Sequence, residues 1–239
     1  MSVTDRYLNA WEAFWSETSD EQGDAIWDSD PSLTAAPHLD LLAPHADRTL
    51  PVVDLGCGNG TQTRFLAGRF ARAVGVDLSR AAVERARRAD RRALAEYARL
   101  DLVDAAAVRA LHERLGDSNV YLRAVIHQSD AQDRAPVARA VARLAGRRGR
   151  AFVVEPTRAA GDVLAGVAQG PDGPPAKLRR VLTHGLRPAA APDGEVCALL
   201  RSAGLEILAE GHTELAMTAF HPDGRRILLP AQWFVAGRL

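Results

Sequence analysis

Residues 52–70 read VVDLGCGNGTQTRFLAGRF. An apolar run from Val52 breaks into three glycines at alternate positions, Gly56, Gly58 and Gly60, then resumes as a helix-like pattern from about Thr61 to Phe70. A buried strand, a glycine turn and a helix N-terminus leave backbone N–H groups unpaired where a ligand can come close. Side chains at the three glycines would block that approach, and some of these positions are expected to need positive φ. A dinucleotide fingerprint would carry glycine at the position of Thr61, and a phosphate-cradling loop would end in Gly-Lys-Ser/Thr. Neither is present.

Outward from this stretch, short apolar runs alternate with helical patterns. AVGVDLS is a second strand, with Ser79 placed to cap the next helix and Val83 and Ala86 facing inward. YARLDLV is a third, weaker strand; Asp104 caps the helix that follows, and Gly116 stops it. NVYLRAVI begins as a fourth strand, a helix marked by Val137, Val141 and Leu144 ends at Gly146, and RAFVVEPT is a fifth strand. Such alternation predicts an α/β fold, Rossmann-like, with a mostly parallel sheet and helices on both faces. After a helix near Glu195–Arg201, the end of the chain reads as two long antiparallel strands around a Pro-Asp-Gly turn at 222–224, bringing the sheet to seven strands. The expected organisation is one domain: an N-terminal helical lid (1–48), a cofactor core (50–157), an insertion (158–192) and a closing helix with its strands (193–239).

Thirty acidic and thirty basic residues balance in the 239-residue chain, so no net field draws it to nucleic acid or an anionic membrane. Lys177 is the only lysine. Cys57 and Cys197 suggest neither a disulfide framework nor a metal site. The N-terminus lacks the pattern of a signal peptide, and no apolar run approaches the roughly 20 residues of a membrane span. A soluble cytoplasmic setting is the expectation, as a monomer or homodimer.

The stretch Asp54 to Gly60, Asp-x-Gly-x-Gly-x-Gly, resembles the first motif of class I S-adenosylmethionine-dependent methyltransferases, over about Leu50 to Thr157 and more loosely over the last 35 or so residues. Asp77 ends the second strand about 20 residues past the glycines, where a carboxylate can accept from both ribose hydroxyls. By the resemblance, Asp101 sits near the adenine amino group with the Leu102 N–H on the ring. Asp54 braces the glycine loop, and Arg123 lies beside the methionine portion of the cofactor. The cofactor implied is S-adenosyl-L-methionine. At the N-terminus, a tryptophan-rich helix is loosely similar to the thiopurine-methyltransferase-like branch.

Methyl transfer needs collinear positioning first and a base only if the nucleophile carries a proton. His127, just past the fourth strand, is the candidate base; a structural or substrate-positioning role is the bland alternative. His184 and His212 could also line the pocket, whereas His38, His45, His112 and His221 read as surface or capping residues. Tyr7, Trp11, Phe14 and Trp15 recur at helical spacing, with Trp27 following, either as a packed amphipathic helix or as a lid over cofactor and substrate. Trp11, Trp15, Trp27 and His184 are the candidate substrate and lid residues. The arginine-rich ERARRADRRALAEYAR reads as a solvated helix face laced with ion pairs. These features predict methylation of an O or N nucleophile on a small, partly apolar or aromatic molecule, a natural-product intermediate by analogy. Two rivals stand beside that reading: a non-methylating reaction (cyclisation or rearrangement) on the same cofactor, and a non-catalytic binding module.

Overall fold

The computed structural model describes residues 3–170, 173–186 and 192–239. It opens with α1 (Val3–Glu17), a 3-10 turn (Pro31–Leu33) and α2 (Ala35–Leu42), then alternates β1 (Val52–Leu55), α3 (Thr61–Ala67), β2 (Ala73–Asp77), α4 (Arg80–Ala89), β3 (Glu96–Arg99), α5 (Ala105–Leu115), β4 (Asn119–Arg123), α6 (Ala131–Ala145) and β5 (Arg150–Pro156). The insertion carries α7 (Arg158–Ala168) and α8 (Ala176–Thr183); residues 171–172 and 187–191 of it lie outside the described residues. The chain closes with α9 (Glu195–Ser202), β6 (Glu206–Phe220) and β7 (Arg226–Gly237).

The seven strands order as β3-β2-β1-β4-β5-β7-β6. The first five pair in parallel, and β7 runs antiparallel between β5 and β6. Strand order therefore reverses between β1 and β4, and open sheets of this kind bind ligands outside the carboxyl ends of the strands at that reversal. The punctuation expected from sequence is present: Ser79 Oγ accepts from Ala82 N, Asp104 Oδ1 accepts from Ala106 N and Ala107 N, and Gly116 and Gly146 end their helices at positive φ. β3 is shorter than the apolar pattern suggested. It stops at Arg99, and Asp101 Oδ1 accepts from Val103 N, turning the chain before the strand can extend. No helix among the described residues is long and apolar enough to cross a membrane.

The central strands are buried on both faces, with Val52, Val53, Leu55, Val120 and Leu122 fully enclosed, as a sheet covered by helices requires. On the face beneath α2, Phe152 stacks on Tyr121 (centroids 5.9 Å apart), on His38 (5.0 Å) and on Trp233 (6.2 Å). His38 thus departs from the surface role expected of it. It is buried on the inner side of α2, its Nδ1 lies 2.8 Å from the Tyr121 hydroxyl, and burial, with the Arg123 charge adding, pushes it down to about 3. Phe152→Ala should lower stability by about 3–5 kcal/mol. Urea denaturation of the purified protein checks this; a loss under about 1 kcal/mol would mean the stack repacks around the gap.

Candidate active site

A cavity of about 440 Å³ opens at the carboxyl ends of β1, β2 and β4, roofed by α1 and walled on its far side by α7, α8 and β6. Of the expected cofactor residues, Gly56, Asp77, Asp101, Leu102 and Arg123 line it, as do His127, Trp11, Trp15 and Trp27. Asp54, Gly58, Gly60 and His184 do not line it.

The glycine loop is thin partly for backbone conformation and partly because protein side chains press against it. All three glycines have positive φ, between 54° and 75°. A Cβ on Gly56 would lie 2.6 Å from Val125 Cγ2, one on Gly58 2.7 Å from Trp15 Cζ2, and one on Gly60 2.7 Å from Tyr97 Cε1. Protein side chains fill the space at Gly58 and Gly60, and only Gly56 borders the cavity directly. Asp54 sits beneath the loop, its Oδ2 accepting from Thr63 Oγ1 at 2.5 Å, so it ties β1 to α3. Burial pushes it up to about 6, against the pull of Thr63 and of the Arg123 charge.

Asp77 holds the loop from the next strand. Its Oδ2 accepts from Gly58 N and its Oδ1 from Ser79 N, each at 2.9 Å. Burial pushes this carboxyl up to about 6, the two backbone donors opposing and the nearby Glu12 charge adding. Asp101, Asp130 and Asp133 also face the cavity; burial raises Asp133, and the other two carboxylates push the same way. Arg123 is the cation at this edge, and among the described residues it has no hydrogen-bond or ion-pair partner.

Past β4 the chain turns through Ala124, which holds φ at +58°, a region costly for any residue with a Cβ. Glu155, buried at the end of β5, enforces the turn. Its Oε1 accepts from Val125 N (2.8 Å) and Ile126 N (2.7 Å), and its Oε2 from His127 N (3.1 Å), with His127 Nδ1 at 2.7 Å. Sequence reading missed Glu155, although an acid in the otherwise apolar run AFVVEP is an available signal.

The N-terminal segment reaches the core by several polar contacts. Glu12 accepts from Ser79 Oγ at 2.7 Å and from Ala81 N, covering the start of α4. Arg85, only 8% exposed, donates to the Trp15 carbonyl and to Asp20. Part of the arginine-rich stretch on α4 is therefore a buried clamp and not a solvated face. His184 is corrected in role: its Nε2 lies 2.9 Å from Glu17, edge-on to Phe14, so it fastens α8 to α1 outside the cavity. His212 is exposed on β6. Among the described residues no cluster of three or more His, Cys, Asp or Glu could hold a metal.

Residues 52–149 match a protein family described as methyltransferase domain. Over 97% of this chain and 95% of the other, the fold superposes on a SAM-dependent methyltransferase from Anabaena variabilis ATCC 29413, with a TM-score of 0.89 and 27% identity. A structure concerned with converting a disulfide bond into a thioacetal group during echinomycin biosynthesis follows at TM-score 0.69 and 20% identity, covering 96% and 92% of the two chains. Magnesium protoporphyrin IX methyltransferase from Synechocystis PCC 6803, with bound SAH, shares the fold at TM-score 0.59 and 16% identity, over 97% and 94%. No curated protein matched the chain. Residues 52–149 are thus a methyltransferase domain, the whole chain has the fold of a SAM-dependent methyltransferase, and S-adenosyl-L-methionine is its cofactor.

The residues present fit that cofactor. A half-buried carboxylate at the end of β2 suits a ribose diol, and the ring of carboxylates suits a ligand bearing a sulfonium charge. Hydroxyl donors on Asp77 favour its ionised form, so bound cofactor should lower its pKa, and affinity should fall as pH drops below about 6. Calorimetry with S-adenosylhomocysteine from pH 8 to 5 checks this. Weakening below pH 6 with proton release is expected, and Asp77→Asn should bind more weakly with a flat profile.

Proposed function

We propose that the protein transfers the methyl group of S-adenosylmethionine to an O or N nucleophile on a small, partly apolar or aromatic molecule. The observation that carries this reading is the far half of the cavity. Trp11 and Trp27 from the lid segment, Leu164 and Leu182 from the insertion, and Leu215 and Met217 from β6 make an apolar chamber beyond the carboxylate-lined half. Trp27 packs against Trp11 and Phe14 with centroids 5.5 and 5.0 Å apart, so the lid wall is aromatic. Such walls select a flat apolar body, and a few polar groups then orient it. A natural-product intermediate is the class of acceptor that fits, and the likeness to a protein of echinomycin biosynthesis supports the same reading.

The cofactor, when bound, supplies an activated methyl that needs only in-line attack. This chain's residues do the rest. Gly56, Asp77, Asp101 and Leu102 hold the nucleoside end, Asp54, Gly58 and Gly60 shape the loop that supports it, and Arg123 takes the amino-acid carboxylate. Trp11, Trp15 and Trp27 exclude water and orient the acceptor. His127 is the base: the Glu155 carboxylate accepts at Nδ1, so in the neutral ring Nε2 keeps the lone pair, with the Gln128 side-chain amide 3.0 Å from it. With the cofactor held there, X would take the methyl from the sulfonium in line and the proton on X would pass to His127 Nε2.

Tritiated S-adenosylmethionine with a panel of aromatic hydroxyl and amino compounds tests the reading; label in an extractable product is expected. With a confirmed acceptor, His127→Ala should lower turnover about 10²–10⁴-fold. A change under about threefold would demote His127 to scaffold.

A further inference from the structure

Three helices, α1, α7 and α8, wall the apolar half of the cavity. Two of them are fastened by side chains. On α1, Glu12 accepts from Ser79 Oγ and from Ala81 N, and the Trp15 carbonyl accepts from Arg85. On α8, Lys177 donates to the Gly23 carbonyl at 2.6 Å and Arg180 to Asp24 at 3.0 Å. α7 has nothing comparable. Among the described residues neither of its charged side chains, Arg158 or Asp162, makes a hydrogen bond or ion pair. Its fixed points sit at its start, where Thr157 N–H and Oγ1 donate to the Pro230 carbonyl and Arg158 N–H donates to Asp193 Oδ1. Of its 11 residues only Ala160 is buried.

The sequence of α7 weakens it further. Gly161 and Gly166 lie inside the helix without positive φ, and a Cβ on either would meet no atom within 4 Å. Neither glycine answers to a turn or to a close neighbour, and glycine in a helix interior gives up stability that alanine would keep. Helices shorter than roughly 12–15 residues are held by packing, and here the packing is thin. Gly161, Leu164, Ala165 and Ala168 line the cavity, while Asp162, Val163, Gly166 and Val167 line a second groove on the outside. α7 is a partition between two spaces. Beyond it Leu186, Leu215, Met217 and Leu229 line the cavity and are all buried, so a ring-sized ligand reaches them as a wall gives way.

We infer that α7 is the gate of the acceptor chamber. It unwinds from its C-terminal end to admit the acceptor and release the methylated product, while α1 and α8 keep their places. Segments that open for ligands are those of low local stability, and α7 is the wall with fewest attachments. The inference rests on the proposed function for the name of the ligand alone, since the gate would serve any flat apolar body the chamber takes.

Hydrogen exchange of the protein saturated with S-adenosylhomocysteine, resolved helix by helix by mass spectrometry, tests the gate. Amides of α7 should exchange about tenfold faster, or more, than those of α1 and α8. Gly166→Ala lies on the groove side, where the new methyl touches nothing, and strengthens the helix. It should slow α7 exchange about four- to fivefold and leave α1 and α8 unchanged. Naphthalene is flat and apolar and carries no nucleophile, so its entry reads access to the chamber whatever reaction follows. Its association rate, followed by stopped-flow tryptophan fluorescence, should fall by the same factor in Gly166→Ala. Exchange in α7 as slow as in α1 and α8, or an entry rate that Gly166→Ala leaves unchanged, overturns the gate. Naphthalene that does not bind overturns it too, because the chamber behind α7 would not exist in solution. A protein that labels no acceptor would sink the proposed methyl transfer and leave this result standing.

Discussion

A single buried carboxylate organises the reactive end of this protein. Glu155 sits where β5 ends, almost without exposure, and four donors from the turn after β4 converge on it. An unpaired carboxylate at that depth would be expelled or protonated, so the turn must stay wrapped around it. That requirement holds Ala124 at positive φ and draws Nδ1 of His127 onto the carboxylate. Position and hydrogen-bond polarity in this part of the cavity both come from one side chain contributed by a neighbouring strand.

The roof is built on a different principle. Fastening the N-terminal segment are Glu12 at the start of α4, buried Arg85 on the Trp15 carbonyl, the contact of Glu17 with His184 and the ion pair of Asp24 with Arg180. Lys177 adds hydrogen bonds to the Gly23 carbonyl and to Thr218. Exposed pairs contribute little individually. The larger share of the attachment comes from aromatic area, with Phe14 and Trp15 buried and Trp27 packed among them. The N-terminal segment and the insertion are thus joined to each other as well as to the sheet, and the apolar half of the cavity lies between them.

The sheet was legible in the sequence because parallel strands buried on both faces read as apolar runs, and because Ser79, Asp104, Gly116 and Gly146 punctuate the helices between them. Asp77 and Asp101 were legible for the same reason, as acids that end apolar runs. What the residues could not reveal was which neighbour fills a gap. The spacing of Gly58 and Gly60 demanded thin backbone, but only the fold shows Trp15 and Tyr97 pressed against them. His38 looked like a surface residue because α2 is short and its pattern weak, and His184 looked like a pocket residue because its partner Glu17 is distant in sequence. Arg85 was lost in a run of arginines that are otherwise solvated.

The contact between Trp15 and Gly58 has an electrostatic corollary. Asp77 is bonded to that same glycine, and its raised pKa depends on the cover that α1 provides and on the charge of Glu12 carried by α1. A lifted helix would take both away, letting water reach the carboxyl and returning it toward the ordinary range near 4. The shut form therefore binds more protons than the raised form between about pH 4 and 6, and alkalinity through that window favours raising. Above that window Asp77 is ionised in both forms and no longer ties the position of α1 to acidity.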